Sequence, residues 1–476
     1  MPQSQVAIII SFLAFLLLFT GVGIYSATRK QNNTTDYLLA SRNVNPWLTA
    51  LSAFATSYSG FMFIGLIGWT YQVGISTFWV MLITLLGNYL VWLFVHKQLR
   101  VVSEETASDT ISSFLGQGKE RLIVVLSALI TIVFVGAYAA AQLLAGGKAL
   151  YAIFGWDYAL GIVVGAVIVT VYCFAGGIRA SIWTDAVQSI LMLFSMLLLV
   201  FLGVQACGGF DGLWTQLGEI DTKLLDPTPN TKFGFLPFII SWLFQGLGVV
   251  GQPHIMIRAM VINHPEKIGL TRNIYTVLAF VFVVTAIGVG LTARILIPDL
   301  ADLDPELALP QLAIKMLPPV WVGVILAGIF SAVISTADSQ ILSCSAALTQ
   351  DLFPQIAHSY KLVKLGTVLV TAITMSLALT NNQSVFASVL AGWSALGSGL
   401  GPLLVVRAWR QPVRVPVAVA MMATGVTVSL IWRFGLNLSS DVLEILPGMV
   451  ASILVYLVGS RLISYQASIQ GDSSQY

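Results

Sequence analysis

The chain is a succession of apolar segments, each about as long as a bilayer is thick. About twenty apolar residues cross the hydrocarbon core as a helix, and thirteen candidate segments can be marked: 6–26, 46–71, 75–96, 122–148, 157–176, 182–205, 233–253, 274–297, 319–348, 362–379, 384–406, 414–432 and 444–463. Lipid offers backbone groups no hydrogen bonds, so runs of this length specify helices. Composition agrees: 57% of the 476 residues are hydrophobic and 9% are charged, against about 25% charged in soluble domains. The expected fold class is an all-α polytopic membrane protein with about 13 transmembrane helices. The first segment follows Met-Pro-Gln-Ser-Gln, without a basic n-region or a small-residue cleavage site, and reads as a retained helix.

If every segment crosses, the connections alternate sides. Seventeen of the 23 basic residues then share one side, Arg29, Arg179, Arg258 and Arg461 among them, and six, Lys148 and Arg433 included, take the other. The positive-inside rule puts the N-terminus outside and the C-terminus in the cytoplasm. That sorting fits a plasma-membrane protein, in the inner membrane if the cell is Gram-negative. It leaves no basic patch for nucleic acid. Membrane lipid is the surrounding partner, and no obligate protein partner is implied. The outer connections 206–232 and 298–318 are acidic and proline-bearing, and read either as lids or as plain solvated loops. Cys173, Cys207 and Cys344 lie in or beside separate segments and form no disulfide framework.

Two segments are poorly built for spanning. In Ala50-Leu-Ser-Ala-Phe-Ala-Thr-Ser-Tyr-Ser-Gly60 hydroxyls and glycine gather where lipid most demands closed helix bonds. Either two helices approach closely through small residues, or the helix breaks and its freed carbonyls, with the hydroxyls, can hold a dehydrated cation. In Phe244-Gln-Gly-Leu-Gly-Val-Val-Gly-Gln-Pro-His254, residues 246–251 match GxGxxG. The dinucleotide reading fails because no strand precedes it and no βαβ unit exists. The glycines unwind or closely pack a helix. The two disrupted segments lie five spans apart and cross in opposite directions, the layout of a five-plus-five inverted repeat with two discontinuous helices and a mid-membrane site. The expected division is 1–45 as an extra N-terminal helix and loop, 46–205 and 233–406 as the repeats, and 407–476 as two extra helices with a short tail.

Several polar residues lie inside the segments. Ser335, Asp338 and Ser339 share one helical face, with Thr336 one step round. Asp338 must be paired, protonated or bound to a cation. Asp185 either pairs with Arg179 or joins a Na+ site or proton relay. Tyr138 and Gln142 share a face and line a cavity or bond between helices. His96, His254, His264 and His358 read as helix-terminal or loop residues, and Trp47, Trp79, Trp92 and Trp321 as interface anchors. With no nucleophile motif, clustered metal ligands or P-loop, neither an enzyme nor an ATP-driven pump is expected.

The stretches Thr49–Gly60, Trp183–Gln188, Gly248–His254 and Ala332–Thr336, the last followed by Asp351-Leu352, resemble in that order the sodium:solute symporter family, most nearly its sodium/proline branch. The resemblance runs from about residue 5 to 465 and implies a LeuT-like fold. By resemblance the carbonyls of Ala55, Tyr58 and Ala332 and the hydroxyls of Ser335 and Thr336 bind the coupling ion, Na+. Asp185, Asp338 and Ser339, with Ser335, match a second cation site present in some relatives. Substrate is expected against Ser57, Ser59 and Gly60, with Tyr138, Gln142, Gln245, Gly246 and Gly248 as neighbours. Ser57 stands where the branch carries an aspartate, and Gln245 and Val249 stand where it carries aromatic residues. The implied function is Na+-coupled symport of a small organic solute, proline or another amino acid. The alternatives are a proton-coupled transporter on the same fold and a Na+-coupled symporter of a small carboxylate.

Overall fold

The computed structural model describes residues 3–28, 34–228, 231–357, 359–380 and 384–472. His358 and the end of the tail lie outside them. The principal helices are α1 (Gln3–Ala27), α2 (Pro46–Ser57), α3 (Ile67–Val73), α4 (Ser76–Phe94), α5 (Arg121–Phe154), α6 (Tyr158–Ala206) and α7 (Phe235–Leu247). After them come α8 (Pro253–Met260), α9 (Ile268–Leu296), α10 (Pro319–Ala346), α11 (Tyr360–Thr380), α12 (Val385–Ala408), α13 (Val415–Leu430) and α14 (Ile445–Asp472). No β-strand occurs among the described residues; one isolated bridge pairs Val44 with Ile262.

Among the described residues nine helices are long and apolar enough to cross a membrane, and two further pairs pass together but bend by 54° and 62°. Two shorter apolar helices, Tyr158–Val171 and Ile445–Arg461, complete the set. Each predicted segment falls on one of these. The bent pairs are the two disrupted segments. The second extends further than its sequence reading: after the break it continues as α8, so a stretch read as a loop is helical and buried. Gly177, at φ 62°, divides α6, and a Cβ there would lie 2.5 Å from the Tyr37 ring, so glycine serves both the backbone turn and the close approach.

The helix α10 is the core of the bundle. Nine-tenths of its most apolar window is buried, 89% against 22% for α1, and it packs against α6, α5 and α1. Small residues set the spacing, as expected where lipid supplies no hydrophobic drive between helices. A Cβ on Gly246 would sit 2.0 Å from the Thr84 carbonyl oxygen, and one on Gly251 would sit 2.3 Å from that of Leu396. The second break is therefore both unwound and closely packed. The acidic connection 298–318 folds over this bundle as short helical turns and the helix Ala308–Met316. The connection 206–228 docks through Leu224, whose carbonyl accepts the Ile75 amide at 2.9 Å. Of the tryptophans expected as interface anchors, Trp47, Trp79 and Trp321 are exposed, whereas Trp92 is buried and stacks on His96.

Candidate functional site

Asn45 caps α2 through the Trp47 amide, Pro46 starts the helix, and the chain leaves it at Tyr58 (φ −99°, ψ 70°). Beyond that point the regular ladder is replaced by side chains. The Gly60 amide donates to Gln142 Oε1 at 2.9 Å and the Phe61 amide to Ser59 Oγ at 3.2 Å. The last carbonyls of α2 are thereby freed, as at any helix end without a continuing turn. A π-helical turn, Phe61–Leu66, then leads into α3.

Two hydroxyls from α10 meet those carbonyls. Ser335 Oγ donates to Ala55 O at 3.0 Å and lies 3.3 Å from Ala332 O, while Thr336 Oγ1 reaches Thr56 O at 3.1 Å and Ala55 O at 3.5 Å. Ala55, Thr56, Ala332, Ser335 and Thr336 are all fully buried. Four of the five expected cation ligands thus converge. Tyr58, the fifth, forms the cap, with its amide on Phe54 O at 2.9 Å. The Thr56 carbonyl, outside the expected set, joins them, because which carbonyl is free depends on the residue at which the helix breaks. The cluster is made of neutral hard oxygens, a donor set suited to a small monovalent cation at a broken helix. No group of three His, Cys, Asp or Glu that could hold a metal occurs among the described residues.

Beside the break lies a cavity of about 70 Å³ lined by Ser57, Tyr58, Phe61, Tyr138, Gln245, Gly246 and residues of α4, α7, α9 and α12. Of the expected substrate residues, Ser57, Tyr138, Gln245 and Gly246 face it. Ser59, Gly60 and Gln142 do not; they build the break behind it, where Ser59 Oγ also lies 3.3 Å from the Tyr138 hydroxyl. Gly248 is taken up in packing, since a Cβ there would meet Ile445 at 2.2 Å. Lining residues missed by the sequence reading are Asn88, Trp242, Tyr275 and Trp393. Asn88 Nδ2 donates to the Tyr275 hydroxyl at 3.1 Å, and Trp393 Nε1 to the Gln245 carbonyl at 2.9 Å. The buried Trp242 Nε1 and Asn88 Oδ1, on residues that line the cavity, lack a hydrogen-bond partner within the protein.

A stack of aromatic rings closes one end of this cavity. Phe61 stacks on Phe386, Phe386 lies against Trp69, and Trp69 stacks on Trp242, with centroids 5.2, 5.1 and 5.4 Å apart. Beyond it is a second, polar cavity of about 270 Å³ walled by Trp69, Phe386, Lys148, Asp304 and Glu306. Glu306 holds this side together. Its carboxylate accepts from Lys148 Nζ at 2.6 Å and from the Ser384 hydroxyl and the Val385 and Phe386 amides at the start of α12. The favourable carboxylate at a helix N-terminus follows from the helix dipole.

About one helical turn away, beside Ser52 of α2 and Ser339 of α10, the expected second cation group is found together with a residue not assigned to it. Asp185 does not pair with Arg179, which instead binds Asp36 at 2.5 Å. Asp185 Oδ2 lies 3.2 Å from Arg258 Nη2 and accepts the Ser52 hydroxyl at 2.6 Å. Arg258 Nη2 also reaches Ser339 Oγ at 2.5 Å and Ser181 Oγ at 3.2 Å. Asp338 Oδ1 accepts from Ser181 at 3.2 Å and Ser339 at 3.0 Å. His254, expected at a helix end, is wholly buried with its ring edge-on to Tyr138.

Helices broken in the middle of an all-helical membrane bundle, with buried oxygens gathered at the break and a cavity beside it, define a LeuT-like transporter fold. The solved structure of a Na+-coupled sialic acid symporter in its substrate-bound outward-open state superposes on this chain with a TM-score of 0.80 at 19% identity, covering 96% of this chain and 98% of that one. A nucleobase-cation-symport-1 family transporter in a closed conformation, with bromovinylhydantoin bound, superposes with a TM-score of 0.59 at 15% identity, covering 92% and 96%. The sodium:solute symporter family profile matches residues 37–425, and the chain belongs to that family. Sodium/proline symporters of Staphylococcus aureus, among them those of strains USA300 and NCTC 8325, are 30% identical to it over 485 aligned positions, covering 97% of this chain and 93% of theirs.

Proposed function

We propose that the chain carries a small organic solute into the cell together with Na+, by alternating access, in the plasma membrane with its N-terminus outside. The observation that carries this is the meeting of Ser335 and Thr336 with the freed carbonyls of Ala55 and Thr56. Na+ bound there bridges α2 and α10, favours the broken form of α2, and so stabilises the cavity wall formed by Ser57 and Tyr58. Residues 46–205 and 233–406 act as the two repeats, each opening on a bent helix, and rocking between them exposes the cavity alternately to either side.

The cavity supports an amino acid as solute. Its rings favour an apolar body, and Trp242 Nε1 and Asn88 Oδ1 offer one donor and one acceptor without a fixed charge. Proline is the first candidate because the Staphylococcus aureus relatives are sodium/proline symporters. The test is uptake of labelled proline into proteoliposomes, with other amino acids and small carboxylates as competitors. Accumulation driven by an inward Na+ gradient supports the reading, and the competitors identify the solute. Accumulation that ignores Na+ and follows an imposed proton gradient overturns it.

A further inference from the structure

The expected second cation position already contains a cation of the protein's own. Arg258 is 2% exposed, Asp185 0%, Asp338 2% and Ser339 1%. The guanidinium donates to Asp185, Ser181 and Ser339 through Nη2, to Ser52 through Nε at 3.3 Å, and to the His254 carbonyl through Nη1 at 2.9 Å. Two of these contacts, Asp185 Oδ2 and Ser339 Oγ, occupy oxygens that a Na+ ion in this place would need. A second positive charge beside a buried guanidinium would meet like-charge repulsion in a medium that screens it weakly. The residues of this chain therefore do not fit a second Na+ while Arg258 is in place.

We infer that the Arg258 guanidinium, presented by α8, substitutes for a second Na+ in this chain, limits it to one bound Na+, and masks a cation site formed by Asp185, Ser181, Asp338 and Ser339. Two features support substitution over a simple structural ion pair. The pocket contains two carboxylates and three hydroxyls, more hard oxygen than one guanidinium requires, and Asp185 Oδ1 remains buried without a hydrogen-bond partner. Ser339 also continues the ligand face of Ser335, to whose carbonyl it donates at 2.8 Å, so the site lies one helical turn from the proposed Na+ position. Because α8 is the second half of a broken helix, the protein's own cation is positioned by an element that the proposed rocking would move.

This inference rests on the proposed Na+ symport, and counting bound ions separates the two. Equilibrium binding of radioactive Na+ to the purified full chain is expected to give one ion per protein. Arg258→Met is expected to give two, a twofold rise, and Arg258→Met with Asp185→Asn is expected to return the count to one. Arg258→Lys, which restores a cation, also stays at one. If Arg258→Met binds a single ion, or the unaltered protein binds two, the inference is wrong while symport stands. If the unaltered protein binds none, symport falls and the inference with it. Should Arg258→Met fold poorly, thermal unfolding decides. Its midpoint is expected to climb with Na+ far more than that of the unaltered protein, by mass action on the folded state; a climb no greater than that of the unaltered protein overturns the inference.

Discussion

Gln142 Oε1 accepts the backbone amide of Gly60 at 2.9 Å, so a side chain of the continuous helix α5 holds open the break between α2 and α3. Removing it leaves a buried amide without a partner, at a cost of about 1–3 kcal/mol. Gln142→Leu is therefore expected to lower Na+ affinity about five- to a hundredfold, read as a shift in the Na+ concentration giving half-maximal uptake. Unchanged Na+ dependence would show that the break holds itself.

The same junction cannot take a larger residue. A Cβ at Gly60 would lie 2.8 Å from Val333, 3.0 Å from Gln142 Oε1 and 3.1 Å from Ala145. Gly60→Ala forces the break away from α5 and α10, and overpacking of this kind costs about 1–3 kcal/mol. Transport should be lost while protein remains in the membrane, as measured by uptake normalised to immunoblotted protein.

The sequence displayed the first break well and the second only in part. Ser57, Ser59 and Gly60 stand out because hydroxyls and glycine are costly in a lipid-facing helix, and Ser335 shares a face with Asp338 and Ser339 at helical spacing, with Thr336 one step round. Arg258 was missed for a physical reason. The Gly-Gln-Pro sequence at 251–253 ends one helix and begins another, so a seventh segment that stops at 253 places Arg258 in a loop. The symmetry of the two disrupted segments is the available signal: the first, 46–71, includes both halves of its break, and an equal length for the second extends it to Arg258. Asn88, Trp242, Tyr275 and Trp393 had no such signal, because four helices distant in sequence bring them together.

Glu306 is 9% exposed at its side chain and partners Lys148, itself 11% exposed. Breaking a buried pair by removing one member costs about 3–5 kcal/mol. Here the start of α12, which carries Phe386, also loses its anchor. Glu306→Ala should lower the unfolding temperature and raise the KM for solute more than it lowers the maximal rate. An unchanged KM would separate the aromatic stack from solute retention.

Trp242→Phe keeps an aromatic ring, smaller than the indole, and removes the unpartnered Nε1 donor. If the solute accepts that hydrogen bond, its KM should rise about two- to tenfold, with Na+ dependence unaltered. An equal loss for every solute in a competitor panel would instead point to packing against Trp69.

The central claim is that Ser335 and Thr336 hold the driving ion against the carbonyls of α2. Its most direct measurement is solute uptake as a function of Na+ concentration for the unaltered protein, Ser335→Ala and Thr336→Ala. Each substitution removes one ligand to a charged group, about 1.5–3 kcal/mol. Half-maximal activation should therefore move about ten- to a hundredfold higher in Na+, with uptake recovering at saturating Na+. If both variants retain the Na+ dependence of the unaltered protein, the ion does not bind at this break and the account is wrong.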